Sequence, residues 1–183
     1  KSYGAQFYAG KNKIINGDFS IWQRGTSAST NGYLADRFNA NFGAATTFSQ
    51  SRQTFTPGAA PVAGYEGKYF WRGTVTTVGS ETSWYLNTYS EDVQTLAGQT
   101  ATISFWAKAD STRTLGVYYN QNFGSGGSAA VYANGSYTPI STSWARYSWT
   151  LTIPSISGKT IGTNDNLQIS IYVSDSGYGG TAL

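Results

Sequence analysis

From Thr100 onward, apolar and polar side chains alternate with a period of two. In TATISFWAKA (Thr100 to Ala109), Ile103, Phe105 and Ala107 fall on one face, and Ser104, Trp106 and Lys108 on the other. TLGVYYN sets Leu115, Val117 and Tyr119 against Gly116, Tyr118 and Asn120. RYSWTLTIP groups Tyr147, Trp149, Leu151 and Ile153, and NLQISIYVSD groups Leu167, Ile169, Ile171 and Val173. An α-helix would mix these sets around its axis, whereas a strand with one face on a core and one on water keeps them apart. One-sided burial of this kind belongs to antiparallel sheets. Less regular strand candidates precede it at 37–42, 46–52, 68–76 and 83–89. Turn signals separate them: Asn16-Gly17, Asn31-Gly32, Pro57-Gly58, Ala97-Gly98, Gly124 to Gly127, Asn134-Gly135 and Ser157-Gly158. Roughly ten strands spaced this way predict an all-β fold, an antiparallel β-sandwich of jelly-roll type. No repeat of fixed period occurs. Residues 1–10 read as a leader and 11–183 as one domain, with Gly124 to Ser128 a flexible loop inside it.

Such a sandwich must hold without staples, because the 183 residues include no cysteine. Histidine is absent too, which removes the commonest zinc ligand and the usual neutral-pH general base. There is no methionine even at position 1, so the chain reads as a processed or excised piece. Twelve Lys and Arg against nine Asp and Glu give a net charge of +3 without a basic stripe, which argues against nucleic acid as a partner. No apolar run approaches a membrane span and no signal peptide is visible. The charged share is 11%, low beside the roughly 25% of ordinary domains. A surface of hydroxyls, amides and tyrosines suits a secreted or virion protein. Aromatic residues make up 16% of the chain, too many for a disordered polar sequence.

Without His or Cys, catalysis would fall to carboxylates, to Ser with Lys, or to a metal. The acids are Asp18, Asp36, Glu66, Glu81, Glu91, Asp92, Asp110, Asp165 and Asp175. None sits in mid-strand among aromatic residues, where a glycosidase acid would have its pKa raised. Nearly all lie at turns or strand ends, so the sequence predicts no enzyme. GSGGSAA lacks the Lys-Ser/Thr ending of a phosphate loop. Thr163 to Asn166 (TNDN) carries oxygen ligands but no complete calcium loop, and reads as a turn. Asn134-Gly135-Ser136 matches an N-glycosylation site and equally a hairpin turn.

The aromatic residues are more informative. Phe105, Tyr119, Tyr147 and Trp149 alternate with the core. Trp106, Tyr118 and Tyr172 alternate to the opposite face, with Lys108, Asn120 and Gln168. If these strands share a sheet, they form a platform of rings, amides and a cation suited to stacking on a sugar and bonding its hydroxyls. Ligand binding is therefore assigned to Trp106, Tyr118, Tyr172, Asn120, Gln168 and Lys108, and loss of glycan retention is expected in Trp106→Ala. Cover by a loop, by residues 1–10 or by a neighbouring subunit is the competing fate of that face. Trp84, Tyr85 and Tyr89 make a second, less regular aromatic group.

AGKNKIINGDFSIWQRGTS followed by ADRF resembles the opening of domains in bacteriophage tail-fibre and other virion fibre proteins. These are similar to the galactose-binding-like, carbohydrate-binding jelly rolls attached to glycoside hydrolases. LAGQTATISFWAKAD and ISTSWARYSWTLTIP look like two later strands of that family. The resemblance implies that Asn16, Gly17, Asp18 and Phe19 form the first strand and turn, with Trp22 and Phe38 as plugs and Asp36-Arg37 as an ion pair. It also makes Asp18 a candidate ligand for a structural calcium; no other cofactor is implied. Members of the family continue with one more strand of G-V-Q-L-E type. Either that closing strand lies outside this piece or the protein departs from the pattern. The resemblance implies a virion appendage, a homotrimer with other virion subunits as neighbours, and host-surface glycan as ligand. The rivals are a purely structural capsid or fibre module and a glycan depolymerase.

Overall fold

The structure, a computed structural model, describes residues 12–43, 47–77, 83–134, 137–174 and 179–182. It is all-β, and every strand pairing in it is antiparallel. The strands are β1 (Ser27–Ala28), β2 (Gly32–Tyr33), β3 (Phe38–Asn41), β4 (Thr47–Thr54), β5 (Tyr69–Thr77), β6 (Ser83–Ser90) and β7 (Thr100–Ala109). They continue as β8 (Arg113–Asn122), β9 (Val131–Asn134), β10 (Thr138–Ile140), β11 (Ala145–Thr152), β12 (Asn166–Ser174) and β13 (Gly179–Ala182). One sheet runs β1-β4-β5-β13-β7-β11; the other runs β10-β8-β12-β6-β3-β2, with β9 on β8. From β5 to β8 and again from β10 to β13 each strand lies in the layer opposite its predecessor, as in a jelly roll. Among the described residues no helix is long and apolar enough to cross a membrane. Residues 1–10, expected to be a leader, lie outside the described residues, as do Gly135 and Ser136.

The period-two pattern decides which face each strand buries. Leu115, Val117 and Tyr119 from β8 join Leu167, Ile169, Ile171 and Val173 from β12 in the core. From the facing sheet come Trp71, Val75, Ala107, Trp149 and Leu151. Trp84 also points inward, 5.4 Å from Trp71, so the expected Trp84-Tyr85-Tyr89 group is split by its own alternation. Phe105 stacks on Trp149 at 5.3 Å. On the outside of β7 and β11 the polar set forms a ladder. Thr102 and Thr150 hydroxyls meet at 3.1 Å, and Arg146 donates to the Ser104 hydroxyl at 2.9 Å.

The opening motif is framework, but not a strand: residues 15–18 turn and β1 begins only at Ser27. Asn16 takes a positive φ of 58°, which asparagine tolerates better than most residues. Its side chain fastens two segments: the amide nitrogen donates to Ile21 O at 3.0 Å and Asp36 O at 2.8 Å, and its oxygen accepts from Ile21 N at 2.9 Å. Phe19 then packs on Phe38 at 4.8 Å and Trp22 at 6.4 Å. Asp36 and Arg37 do not pair with each other, contrary to the sequence expectation. Asp36 takes Arg24 at 2.8 Å and Gln23 N at 2.7 Å, while Arg37 turns away to Glu91 and Tyr89 O. Arg37 holds φ at 71°, which sends the two neighbouring side chains apart. Nor is the segment from Gly124 to Ser128 a free loop. Ser125 and Thr163 exchange backbone bonds of 2.9 and 3.1 Å, and Ser128 N donates to Thr160 O at 2.9 Å.

Candidate functional site

The outer face of the seven-stranded sheet presents the uncommitted rings. Antiparallel register aligns them in transverse rows, because residues directly opposite each other point to the same side. One row runs Asn41, Tyr85, Tyr172, Gly116 across β3, β6, β12 and β8. The next holds Asn39, Asn87, Ser170 and Tyr118. A third holds Tyr89, Gln168, Asn120 and Tyr132. Tyr118, Tyr172, Asn120 and Gln168 therefore lie on one face. Trp106 and Lys108 do not, because β7 belongs to the other sheet. They sit on that sheet's own outer side, where Lys108 lies over the Trp144 ring at 5.4 Å. Alternation fixes a side chain's parity along its own strand; it carries nothing about which sheet the strand joins.

The rings of the face are tied to one another. Tyr85 packs on Tyr172 at 4.9 Å and edge-on to Tyr118 at 6.0 Å; Tyr137, just before β10, packs on Tyr172 at 5.8 Å. Gly116 makes room for Tyr137, since a Cβ there would come 2.8 Å from the ring. Beneath the rings lies a polar floor. The Gln168 amide donates to Ser170 Oγ at 2.8 Å, to Asn87 Oδ1 at 3.2 Å and to the Tyr118 hydroxyl at 3.3 Å. Ser170, wholly buried, donates to Asn87 Oδ1 at 2.7 Å. This network fixes the amide and phenol positions, so the face is preorganised. Asn120 Oδ1 is sheltered from solvent and accepts no bond from the described residues. Burial, with the Tyr33 and Tyr118 phenols nearby, pushes the Tyr89 hydroxyl above its ordinary value. It stays protonated, and so able to donate, at any physiological pH.

Sequence reasoning grouped Tyr85 and Tyr89 separately and did not single out Tyr137 or Asn87. The signal for Tyr85, Asn87 and Tyr89 was present as alternation in β6, hidden by Trp84 beside them. Nothing local marks Tyr137.

Asp18, the candidate calcium ligand, is otherwise engaged. Its carboxylate accepts from Ser20 N at 3.3 Å, Ser20 Oγ at 3.0 Å and the Tyr65 hydroxyl at 3.0 Å. Partial burial raises its pKa, but these hydrogen bonds outweigh burial and hold it below 3.8. Among the described residues no group of three Asp, Glu, His or Cys side chains gathers around it. The other described acids serve turns and pairs. Asp165 accepts from Val93 N at 2.8 Å, Glu66 from Gly58 N at 2.7 Å, Asp92 from Gln94 N at 2.7 Å, and Asp110 from Arg113 at 3.1 Å. Asp165 thereby locks the TNDN segment as a turn entering β12.

No protein-family model matches the chain, and no curated protein does. Solved structures do. A putative sugar binding protein from Bacteroides thetaiotaomicron aligns over 94% of this chain and 96% of its own, with a TM-score of 0.59 at 12% identity. The CBM22-1 xylan-binding domain of Paenibacillus barcinonensis Xyn10C aligns over 85% and 87%, with a TM-score of 0.55 at 14% identity. The enzymatically active domain of tailspike protein 4 from bacteriophage CBA120 aligns over 93% of this chain, with a TM-score of 0.54 at 19% identity. The chain spans only 20% of that tailspike chain. At these identities the likeness is one of fold: the sandwich is that of carbohydrate-binding modules.

Proposed function

We propose that the chain is a non-catalytic glycan-binding module whose site is the tyrosine face of the seven-stranded sheet. The observation that carries this reading is the ring set Tyr85, Tyr118, Tyr137 and Tyr172 laid over hydrogen-bonded Gln168, Asn87 and Ser170. A sugar offers C–H faces to the rings and hydroxyls to the amides, and the face holds both in fixed positions. The xylan-binding and sugar-binding structural neighbours support the reading. Its ligand is a host-surface glycan and its setting a virion appendage, in the extracellular particle. The opening motif and the tailspike neighbour favour that setting, and trimeric display would raise weak single-site affinity by multivalency. No acid stands in the rows of this face, which favours retention of glycan over its cleavage.

A glycan array tests it. The unaltered chain is expected to retain a defined glycan class, Tyr172→Ala to lose it by tenfold or more, and Trp106→Ala on the opposite side to keep it. Retention undiminished in both Tyr172→Ala and Tyr118→Ala would remove the face from the function. Loss of exposure of these tyrosines in an assembled trimer would instead make the face a subunit contact.

A further inference from the structure

The outer face of the six-stranded sheet gathers cations that are far apart in sequence. Arg72 of β5 and Lys108 of β7 both pair with Ala182 of β13, so they share one transverse row and one side of the sheet. Two strand spacings, roughly 9.6 Å, separate their Cα atoms. Arg146 of β11 stands in the next row on that side, opposite Trp106. Lys68 lies one row further, just before β5, where its carbonyl accepts from Phe55 N at 3.0 Å. No acid answers these charges. Among the described residues Arg24, Arg37 and Arg113 pair with carboxylates, and none of the four cations of this face does. Asp110, two residues past Lys108, is taken by Arg113, and Glu66, two residues before Lys68, accepts from Gly58 N. Arg146 donates to the Ser104 hydroxyl instead. A hydrogen bond from Lys68, backed by the charges of Lys68 and Arg52, holds the Tyr69 phenol below its ordinary value. The rings among the cations lock together. Phe70 meets Trp144 edge-on at 5.2 Å and Phe55 at 4.7 Å, with Arg72 over Phe70 at 5.8 Å and Lys108 over Trp144 at 5.4 Å.

We propose that this face is a second binding site, separate from the tyrosine face, for an acidic polysaccharide whose anionic groups fall on Arg72 and Lys108, with Arg146 and Lys68 extending the track. The inference rests on charge complementarity. Four like charges without carboxylate partners raise the potential over the sheet, and a polyanion laid across them lowers it. The neighbours of the cations decide the class of polyanion. Along β7 and β11 the same side carries Ser104, Ser148, Thr102 and Thr150, hydroxyls that can bond the hydroxyls of a sugar. A nucleic acid, with its closely spaced phosphates, calls for a denser run of cations in their place. An anionic membrane calls for rings that can insert, whereas these rings pack on one another and Phe70 is only 8% exposed. Lys108, parted from the tyrosine face by its sheet, thereby acquires a role of its own.

The test is affinity electrophoresis of the chain in gels holding polygalacturonate, dextran sulfate or dextran, repeated in 0.5 M salt. Retention is expected on an acidic polymer and not on dextran, weakened tenfold or more by the salt. Retention on polygalacturonate alone assigns the site to carboxylates, on dextran sulfate alone to sulfates, and on both to either anion. Arg72→Gln and Lys108→Gln are each expected to weaken it fivefold or more with the thermal midpoint unmoved, and Lys108→Arg to keep it. Lys159→Gln, whose ammonium lies over Phe123, and Tyr172→Ala on the other sheet are expected to change it less than twofold. No retention on either acidic polymer, or equal weakening in Lys159→Gln, would overturn the proposal. Loss in Tyr172→Ala with none in Lys108→Gln would move the acidic ligand to the tyrosine face and overturn the second site. Tighter binding of duplex DNA, lost in the Arg72 and Lys108 variants, would make the partner nucleic acid and overturn the glycan class. Neutral-glycan retention, read separately through Tyr172→Ala, stands or falls without affecting these outcomes.

Discussion

Gly116 shapes the tyrosine face more than any ring does, because it leaves the space that Tyr137 fills. In Gly116→Val the added carbons would meet that ring, whose Cδ1 stands 2.8 Å from an ideal Cβ. Tyr137 is half exposed and free to swing outward, so the fold is expected to survive with a thermal midpoint within a few degrees of the original. The Tyr137–Tyr172 contact should be lost and glycan retention weakened severalfold, measured on the array and by tyrosine side-chain chemical shifts. Asp18 and Tyr65 give a second test at this scale. Hydrogen bonds from Ser20 and, next, from Tyr65 hold the carboxyl below 3.8 against partial burial, and the same Tyr65 bond holds the phenol above 10.0, the two directions a hydroxyl bonded to a carboxylate must show. A folded-state pKa below the unfolded value stabilises at pH above about 3.8, and that stability is lost as the pH falls through the folded value. Tyr65→Phe should move the Asp18 titration upward by NMR and make acid unfolding begin at a higher pH. Such pairings are invisible in sequence, since Asp18 and Tyr65 lie on separate segments brought together by the fold.

β4 is joined to the segment before it by one buried amide. Gln50, almost fully buried, donates to Thr30 O at 3.0 Å and Gly32 O at 3.1 Å, and its oxygen accepts from the Trp71 indole at 3.3 Å. Gln50→Leu keeps the volume and strands all three partners. About 1–3 kcal/mol should be lost, which at this chain length lowers the thermal midpoint by roughly 2–4 °C per kcal/mol. An unchanged midpoint by calorimetry would mean those partners are solvated instead. Four long strands, β7, β8, β11 and β12, were legible to within about two residues, because each shows several full periods of alternation. β1, β2, β9, β10 and β13 were not, since two to four residues hold too few periods to stand out. Their partners supply the pairing that their own sequence does not announce. The segment from Gly124 to Ser128 misled for a related reason: its glycines read as flexibility, whereas they permit close approach. A Cβ on Gly162 opposite it would fall 2.1 Å from Ser125 O.

At the scale of the molecule, sheet membership separates the two outer surfaces. The rows of the tyrosine face contain no charged side chain, and the chain has no histidine. Binding there should change less than twofold between pH 5 and 8, and between low salt and 0.5 M salt, by titration calorimetry. A steep salt dependence would point to Lys108 and Arg146 on the other surface instead. The sequence alone determined the layer a strand's side chains enter, inward or outward, because alternation is a local property of an extended backbone. It thereby determined an all-β sandwich with its core residues, and the absence of thiol and imidazole chemistry. Only the tertiary structure decided which strands are neighbours, because pairing between distant segments depends on the summed fit of two whole sheets. That is why Tyr85, Asn87 and Tyr137 joined Tyr118, Tyr172, Asn120 and Gln168. It is also why Trp106 and Lys108, identical in parity, came to stand on the outer side of the other sheet.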